Sequence, residues 1–191
     1  MKIAMHLLRK IYYFLLDTLE SLLIAGAIFL VLYIWIGRPF QVSGDSMFPN
    51  FHDGQYVLTN IIGMHFQMPQ RGDVIVFVAP PDPDKDYIKR VIGLPGDTVS
   101  LKDGDVYLNN QKLDESSYIK PEVRTYGGSF LVNNASVNVP PGNYFVMGDN
   151  REFSSDSREW GFVPEKNVIG YSFLVYWPLN TLHTVSNPYQ K

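Results

Sequence analysis

Thr98-Val99-Ser100-Leu101-Lys102-Asp103-Gly104-Asp105-Val106-Tyr107-Leu108 is the stretch that decides the fold class. Two β-rich runs flank Asp-Gly, a pair that tolerates the positive φ angles of a tight hairpin turn. An antiparallel pair is therefore predicted over Thr98–Lys102 and Val106–Leu108, and Asn109-Asn110 supplies another turn. Outward from this hairpin the same texture continues. Gln55–Thr59, Asp73–Val78, Tyr144–Met147 and Val168–Tyr176 are short β-prone runs, the first two bounded by Gly and Pro. Pro80, Pro81 and Pro83 predict a stiff loop, because proline lacks the N–H that a helix or a central strand needs. Residues from about 102 to 142 contain Gly127-Gly128 and Asn133-Asn134 and read as a less regular insertion or small subdomain. No helical periodicity of useful length and no internal repeat follows Gly37. The expectation is a mainly β, antiparallel domain over residues 38–191.

The chain before Arg38 is different. Ser21–Gly37 carries no charge and, with Thr18 and Leu19, approaches the ~20 residues that a helix needs to cross ~30 Å of hydrocarbon. Tyr33 and Trp35 suit an interfacial aromatic belt. Asp17 and Glu20 are expected to end membrane burial and to leave Ile11–Leu16 interfacial. A buried core helix is one alternative. A cleaved signal peptide is another, since Ala25-Gly26-Ala27 fits a small-x-small site, but nine apolar residues follow it where cleavage belongs past the apolar run. An uncleaved anchor over residues 1–37 is the reading. Lys2, Arg9 and Lys10 precede the span, against Arg38 alone after it, so the N-terminus is expected in the cytoplasm and the rest outside.

Composition narrows the rest. The 191 residues suffice for one ordinary core, and 46% hydrophobic with 18% charged residues is globular. A net charge of −3 without a basic stripe argues against nucleic acid. There is no cysteine, which removes disulfides, thiol catalysis and thiolate metal sites.

Three stretches carry candidate chemistry. In Ser43-Gly44-Asp45-Ser46-Met47-Phe48-Pro49-Asn50, turn formers bracket a serine that needs a neighbour to take its proton before it can attack. In Tyr87-Ile88-Lys89-Arg90-Val91-Ile92-Gly93-Leu94-Pro95-Gly96-Asp97, a lysine sits among apolar residues, and desolvation lowers a lysine pKa toward the range of a working base. Arg90 is expected on the opposite strand face as an ordinary snorkelling cation. Histidines offer a triad instead, but His6 is on the cytoplasmic side and His52, His65 and His183 lack motif context. Ser117-Tyr118-Ile119-Lys120 matches a Ser-x-x-Lys pattern without its companion Lys-Thr-Gly. The third stretch, Gly148-Asp149-Asn150-Arg151-Glu152-Phe153-Ser154-Ser155-Asp156-Ser157-Arg158, reads by composition as a charged loop.

Together and in this order the three stretches resemble the membrane-bound type I signal peptidases, over the chain from the apolar run to the C-terminus. That resemblance implies a two-part β fold and a serine endopeptidase that trims signal peptides from exported preproteins, working beside a lipid bilayer without metal or organic cofactor. The single span resembles the Gram-positive form. It carries Ser46 over as nucleophile and Lys89 as general base. Ser154 would orient the amine, while Asp156 with Arg158, and Asp149, hold the loop by ion pairing. Phe40, Val42, Phe51 and Ile88 would line a pocket for small side chains. Asn50 stands where the family usually has threonine, and Gly44 where some members have an oxyanion-hole serine. Met47, Phe48 and Phe51 are expected to rest on the bilayer. Rival readings are a non-catalytic assembly chaperone of similar fold, which typically loses serine or lysine, and a specialised Ser-Lys peptidase.

Overall fold

The structure is a computed structural model describing residues 2–190, without the side chains of residues 2–4, 32–36 and 65. The expectations placed on Tyr33, Trp35 and His65 therefore lie outside the described side chains. The chain falls into two compact units, residues 1–37 and 38–191.

The first unit is a single helix, α1 (Lys2–Ile36). It does not break at Asp17 or Glu20, because acidic side chains on a helix surface leave the backbone ladder intact. Hydroxyls that would compete with that ladder bond back into it, Thr18 Oγ1 to the Phe14 carbonyl and Ser21 Oγ to that of Asp17. The stretch long and apolar enough to cross a membrane is Met5–Val31, 27 residues. It includes the Ile11–Leu16 run expected to be interfacial. None of it is buried, which leaves no support for a core helix.

The second unit is built on antiparallel strands. One sheet contains β1 (Arg38–Gln41), β2 (Tyr56–Asn60), β3 (Val74–Ala79), β4 (Asp82–Gly93), β9 (Asn143–Met147), β10 (Val163–Pro164), β11 (Val168–Trp177) and β12 (His183–Thr184). Its order is β1-β2-β11-β3-β4-β9-β10, with β12 paired to β11. A smaller sheet, in the order β7-β6-β5-β8, joins β5 (Thr98–Lys102), β6 (Asp105–Leu108), β7 (Gln111–Lys112) and β8 (Ser136–Asn138). Its turns have the predicted chemistry. Asp103 and Gly104 adopt φ of 54° and 82°, and Asn109 and Asn110 adopt 52° and 67°, the left-handed pairs that a two-residue hairpin requires. The sole α-helix of this unit among the described residues is the short α2 (Ser157–Trp160).

The three-proline segment departs from expectation. It is the tip of a β3–β4 hairpin, and β4 already begins at Asp82. Asp82 pairs with Ala79 and Asp86 with Val78, so Pro83, Asp84 and Lys85 bulge out of the ladder and the missing proline N–H leaves no partner unsatisfied. The expected insertion is also more ordered than its composition suggests. Its ends belong to the small sheet, and fully buried Leu131 ties its irregular middle to a cluster with Val99, Leu101, Phe145 and Met147.

A second cluster, Val42, Met47, Phe51, Val57, Val74 and Val175, lies under the serine loop. Met47 and Phe51 are buried, contrary to the lipid-facing role expected of them, and Phe48 alone of the three is exposed. Burying such side chains stabilises the loop by about 1.5–3 kcal/mol each.

Candidate active site

Ser46 follows β1 on a turn closed by hydrogen bonds from Phe48 N to the Asp45 carbonyl and from Phe51 N to that of Met47. Lys89 lies on β4, opposite Ile75 of β3. The fold brings the two side chains together: Lys89 Nζ donates to Ser46 Oγ at 2.8 Å and to the Ile88 carbonyl at 3.0 Å. Lys89 is 4% exposed, and its amine stands 5.1 Å from the centre of the Tyr87 ring. Burial pushes its pKa down to about 8, although Asp156 and Asp149 pull it partly back up. Those two carboxylates are ion-paired, yet they still act on the lysine; desolvation outweighs them. The Ser46 N–H makes no hydrogen bond within the described residues and remains available to an oxyanion, whereas Gly44 N–H is held by Asp53 Oδ1 at 2.7 Å.

A cavity of about 260 Å³ opens beside the pair. Phe40, Val42 and Ile88 line it as expected, joined by Tyr87, Asp86 and Ser155. Phe51 does not line it; as the hydrophobic anchor of the loop, that ring is buried in the core cluster below. Two strand edges flank the cavity. β1 pairs only with β2, and β4 pairs over Asp82–Lys89 only with β3, so each presents an open edge among the described residues.

Behind the pair lies the Gly148–Arg158 loop. Asp156 takes two hydrogen bonds from the Arg158 guanidinium, each 2.8 Å, and another from Gly148 N at 3.0 Å. Burial alone would raise the Asp156 pKa, but Arg158 holds it below the usual carboxylate range. Ser154 does not reach the lysine. Its hydroxyl donates to Asp156 Oδ2 at 2.8 Å, the stronger acceptor within reach. Gly148 is a glycine by necessity, since a Cβ there would overlap Ser154 Oγ and the Ser46 carbonyl oxygen.

Asp149 is ion-paired as expected, to a partner the sequence did not name. It pairs not within its own loop but with Arg90, which contacts both oxygens, Nε to Oδ1 at 2.8 Å and Nη2 to Oδ2 at 2.7 Å. Arg90 is no snorkelling cation. It is 3% exposed, donates to the Gly72 carbonyl at 2.8 Å and lies 4.3 Å from the centre of the Tyr118 ring. Strand alternation placed it on the rear face correctly; nothing local announced the carboxylate waiting there. Sequence reasoning also missed Asn50 and Asn150, which fasten the serine loop from behind. Asn150 N donates to the Ser46 carbonyl and its side-chain amide to that of Asp45, both at 3.0 Å. His52 meets the Phe48 ring edge-to-face and makes no bond to Ser46.

A profile described as "Signal peptidase, peptidase S26" matches residues 15–177. The chain belongs to the signal peptidase S26 family. Signal peptidase IB of Staphylococcus aureus is 34% identical over 185 residues, covering 91% of this chain and 95% of that protein. A probable signal peptidase I-1 of Synechocystis is 36% identical over 172 residues, 86% and 84% of the two chains. The crystal structure of an Enterococcus faecalis signal peptidase I, 33% identical, superposes with a TM-score of 0.44 over 55% of this chain and 97% of that one. As a signal peptidase the protein is a hydrolase, a serine endopeptidase, and its antiparallel β unit with an apolar N-terminal helix suits that assignment.

Proposed function

We propose that this signal peptidase cleaves signal peptides from exported preproteins through an acyl-enzyme, with Ser46 as nucleophile and Lys89 as general base. The observation that carries the reading is the 2.8 Å contact between Lys89 Nζ and Ser46 Oγ in a buried setting that lowers the lysine pKa to about 8. A neutral amine then accepts the Ser46 proton as Oγ attacks the scissile carbonyl carbon. Negative charge developing on the scissile carbonyl oxygen meets the free Ser46 N–H. Collapse of the adduct breaks the C–N bond, and Lys89 returns the proton to the departing amine of the mature protein. An ester between Ser46 and the signal peptide remains. Water, deprotonated by the same amine, attacks the ester and releases a carboxylate, and the proton goes back to Ser46.

The cavity supports selection of a small side chain next to the scissile bond. An extended substrate segment laid between the open edges of β1 and β4 would exchange backbone hydrogen bonds with both, as in strand addition. Its side chain before the cut would enter the space walled by Phe40, Val42 and Ile88. On this reading the helix over Met5–Val31 is a cytoplasmic-membrane anchor, and Lys2, Arg9 and Lys10, all at its N-terminal end, favour a β unit on the outer side. Retention of both serine and lysine disfavours the chaperone reading.

The test is direct. The full chain in detergent is incubated with a model preprotein, and the product's N-terminus is sequenced. Cleavage after a small residue by wild type and none by Ser46→Ala is expected; cleavage by Ser46→Ala would refute the assignment. External protease on spheroplasts should remove residues after Arg38 and spare the N-terminal segment, and the reverse pattern would overturn the orientation.

A further inference from the structure

We propose that Asn50 is a positioning residue, a strap that sets the distance between nucleophile and base; this rests on the reading of Ser46 and Lys89 as the reacting pair. The side-chain amide of Asn50 donates both of its hydrogens. One goes to Asp149 Oδ2 and the other to the Tyr118 carbonyl, each at 2.8 Å. Asp149 Oδ2 is the oxygen that also receives Arg90 Nη2 at 2.7 Å. One carboxylate thereby ties the loop that carries the nucleophile to the residue peptide-bonded to the base. The circuit is closed: Ser46 to Asn50 along the backbone, Asn50 to Asp149 to Arg90 by hydrogen bonds, Arg90 to Lys89 along the strand, and Lys89 Nζ back to Ser46 Oγ at 2.8 Å. Tyr118 stiffens it from two sides, since its carbonyl accepts from Asn50 and its ring lies against the Arg90 guanidinium.

An amide suits this position for a countable reason. One –NH2 group carries two donors, and here two acceptors face it. A hydroxyl in its place could satisfy only one. An ionised carboxylate would satisfy neither and would repel Asp149. Asn50 touches neither Ser46 Oγ nor Lys89 Nζ, so its influence is on geometry. Small misplacements of reacting groups cost about a hundredfold in rate.

The test compares full-length wild type with Asn50→Thr, Asn50→Leu and Asn50→Asp in detergent micelles, on a model preprotein, with rates per active serine titrated by an acylating inhibitor. Asn50→Leu should lower kcat by about 10–100-fold with KM within about twofold of wild type, and Asn50→Thr should fall between the two. The Asn50→Asp enzyme should regain ground against wild type as pH falls, because a protonated carboxyl again donates to Asp149. A merely structural residue would alter the titratable fraction or the Tm and leave both the kcat per active serine and this pH-dependent ratio alone. Unchanged kcat per active serine in Asn50→Leu, or in Asn50→Thr and Asn50→Asp should the leucine variant not fold, would overturn the proposal. An enzyme that needs Ser46 and Lys89 but is indifferent to Asn50 refutes the strap alone. Wild type without cleavage, or Ser46→Ala that still cleaves, refutes the reacting pair and the strap with it.

Discussion

Lys89 and Arg90 are neighbours on one strand, almost equally buried at 4% and 3% exposure, and the protein treats their charges in opposite ways. On the front face the lysine meets a hydroxyl and a carbonyl, and desolvation drives its pKa down to about 8. On the rear face burial would do the same to the arginine, but Asp149 outweighs it and the pKa rises. Burial alone therefore decides neither outcome. The presence of a directly bonded carboxylate does, and it leaves a titratable amine on one face and a fixed ion pair on the other.

The largest effect expected from breaking this contrast is on turnover. Lys89→Arg brings the rear-face chemistry to the front: a guanidinium stays protonated in a protein and cannot accept the serine proton. Preprotein cleavage should fall by about 10⁴-fold or more and should not recover at high pH. In wild type kcat/KM should rise with pH through about 8, because the free amine is the working form. Normal turnover by the arginine variant would end the contrast.

Arg90→Met attacks the other face. It leaves Asp149 buried with Asn50 as its one hydrogen-bond partner among the described residues, and breaking a buried pair in this way costs about 3–5 kcal/mol. Chemical denaturation should show the loss. A change below 1 kcal/mol would mean that water reaches Asp149.

Lys89→Met sharpens the comparison by reversing the sign. Below about pH 8 the buried amine is charged in folded and unfolded chains alike, and its desolvation penalty stands in full. From there up to the ordinary lysine value the unfolded chain holds a proton that the folded one has released, so stability rises with pH. The methionine variant should therefore be inactive yet more stable at pH 7 by about 1–3 kcal/mol, and its unfolding should lose that pH slope. A destabilised Lys89→Met protein would show that the amine's two hydrogen bonds outweigh its desolvation.

Smaller effects concern the walls of the front face. Replacing the substrate's alanine before the cut with leucine should reduce kcat/KM by about 10–200-fold, and Ile88→Ala should recover part of this. Equal rates on both substrates would remove Ile88 from the specificity pocket. Ser154→Ala should cost least. Its hydroxyl serves Asp156 rather than the amine, so cleavage should slow by less than about tenfold, about 1.4 kcal/mol. A loss as deep as that of Lys89→Arg would show that it rotates to the amine during turnover.

What was legible in the sequence was local. Asp103-Gly104 and Asn109-Asn110 announce their turns because the φ angles are a property of those residues themselves. The motifs singled out Ser46 and Lys89, whose side chains the fold brings into contact, and alternation along β4 separated Lys89 from Arg90. What stayed hidden was choice of partner. Asp149 lies 59 residues from Arg90, and nothing near it in sequence says that it prefers that arginine to Arg151 or Arg158. Phe51 was misread because an aromatic beside a serine turn fits a pocket wall or a loop anchor equally well until the core beneath is known. Pro83 was misread because a bulge, which excuses its missing N–H, is set by the register of β3 against β4.

The sheet order carries a consequence for when the enzyme comes alive. β1–β2 leads to the serine and β3–β4 carries the lysine, but in the sheet β11 separates the two pairs. Thr59 meets Ser172 at 3.1 Å and Asn60 meets Tyr171 at 2.9 Å, contacts that span 113 and 111 residues. A polypeptide emerging from its N-terminal side therefore displays Ser46 and Lys89 on two hairpins that do not pair with each other until Val168–Trp177 arrives to fill the gap. Such distant closures are slow steps of folding. If Ser46 and Lys89 react as proposed, proteolytic competence requires that this late strand already lie in the middle of the sheet.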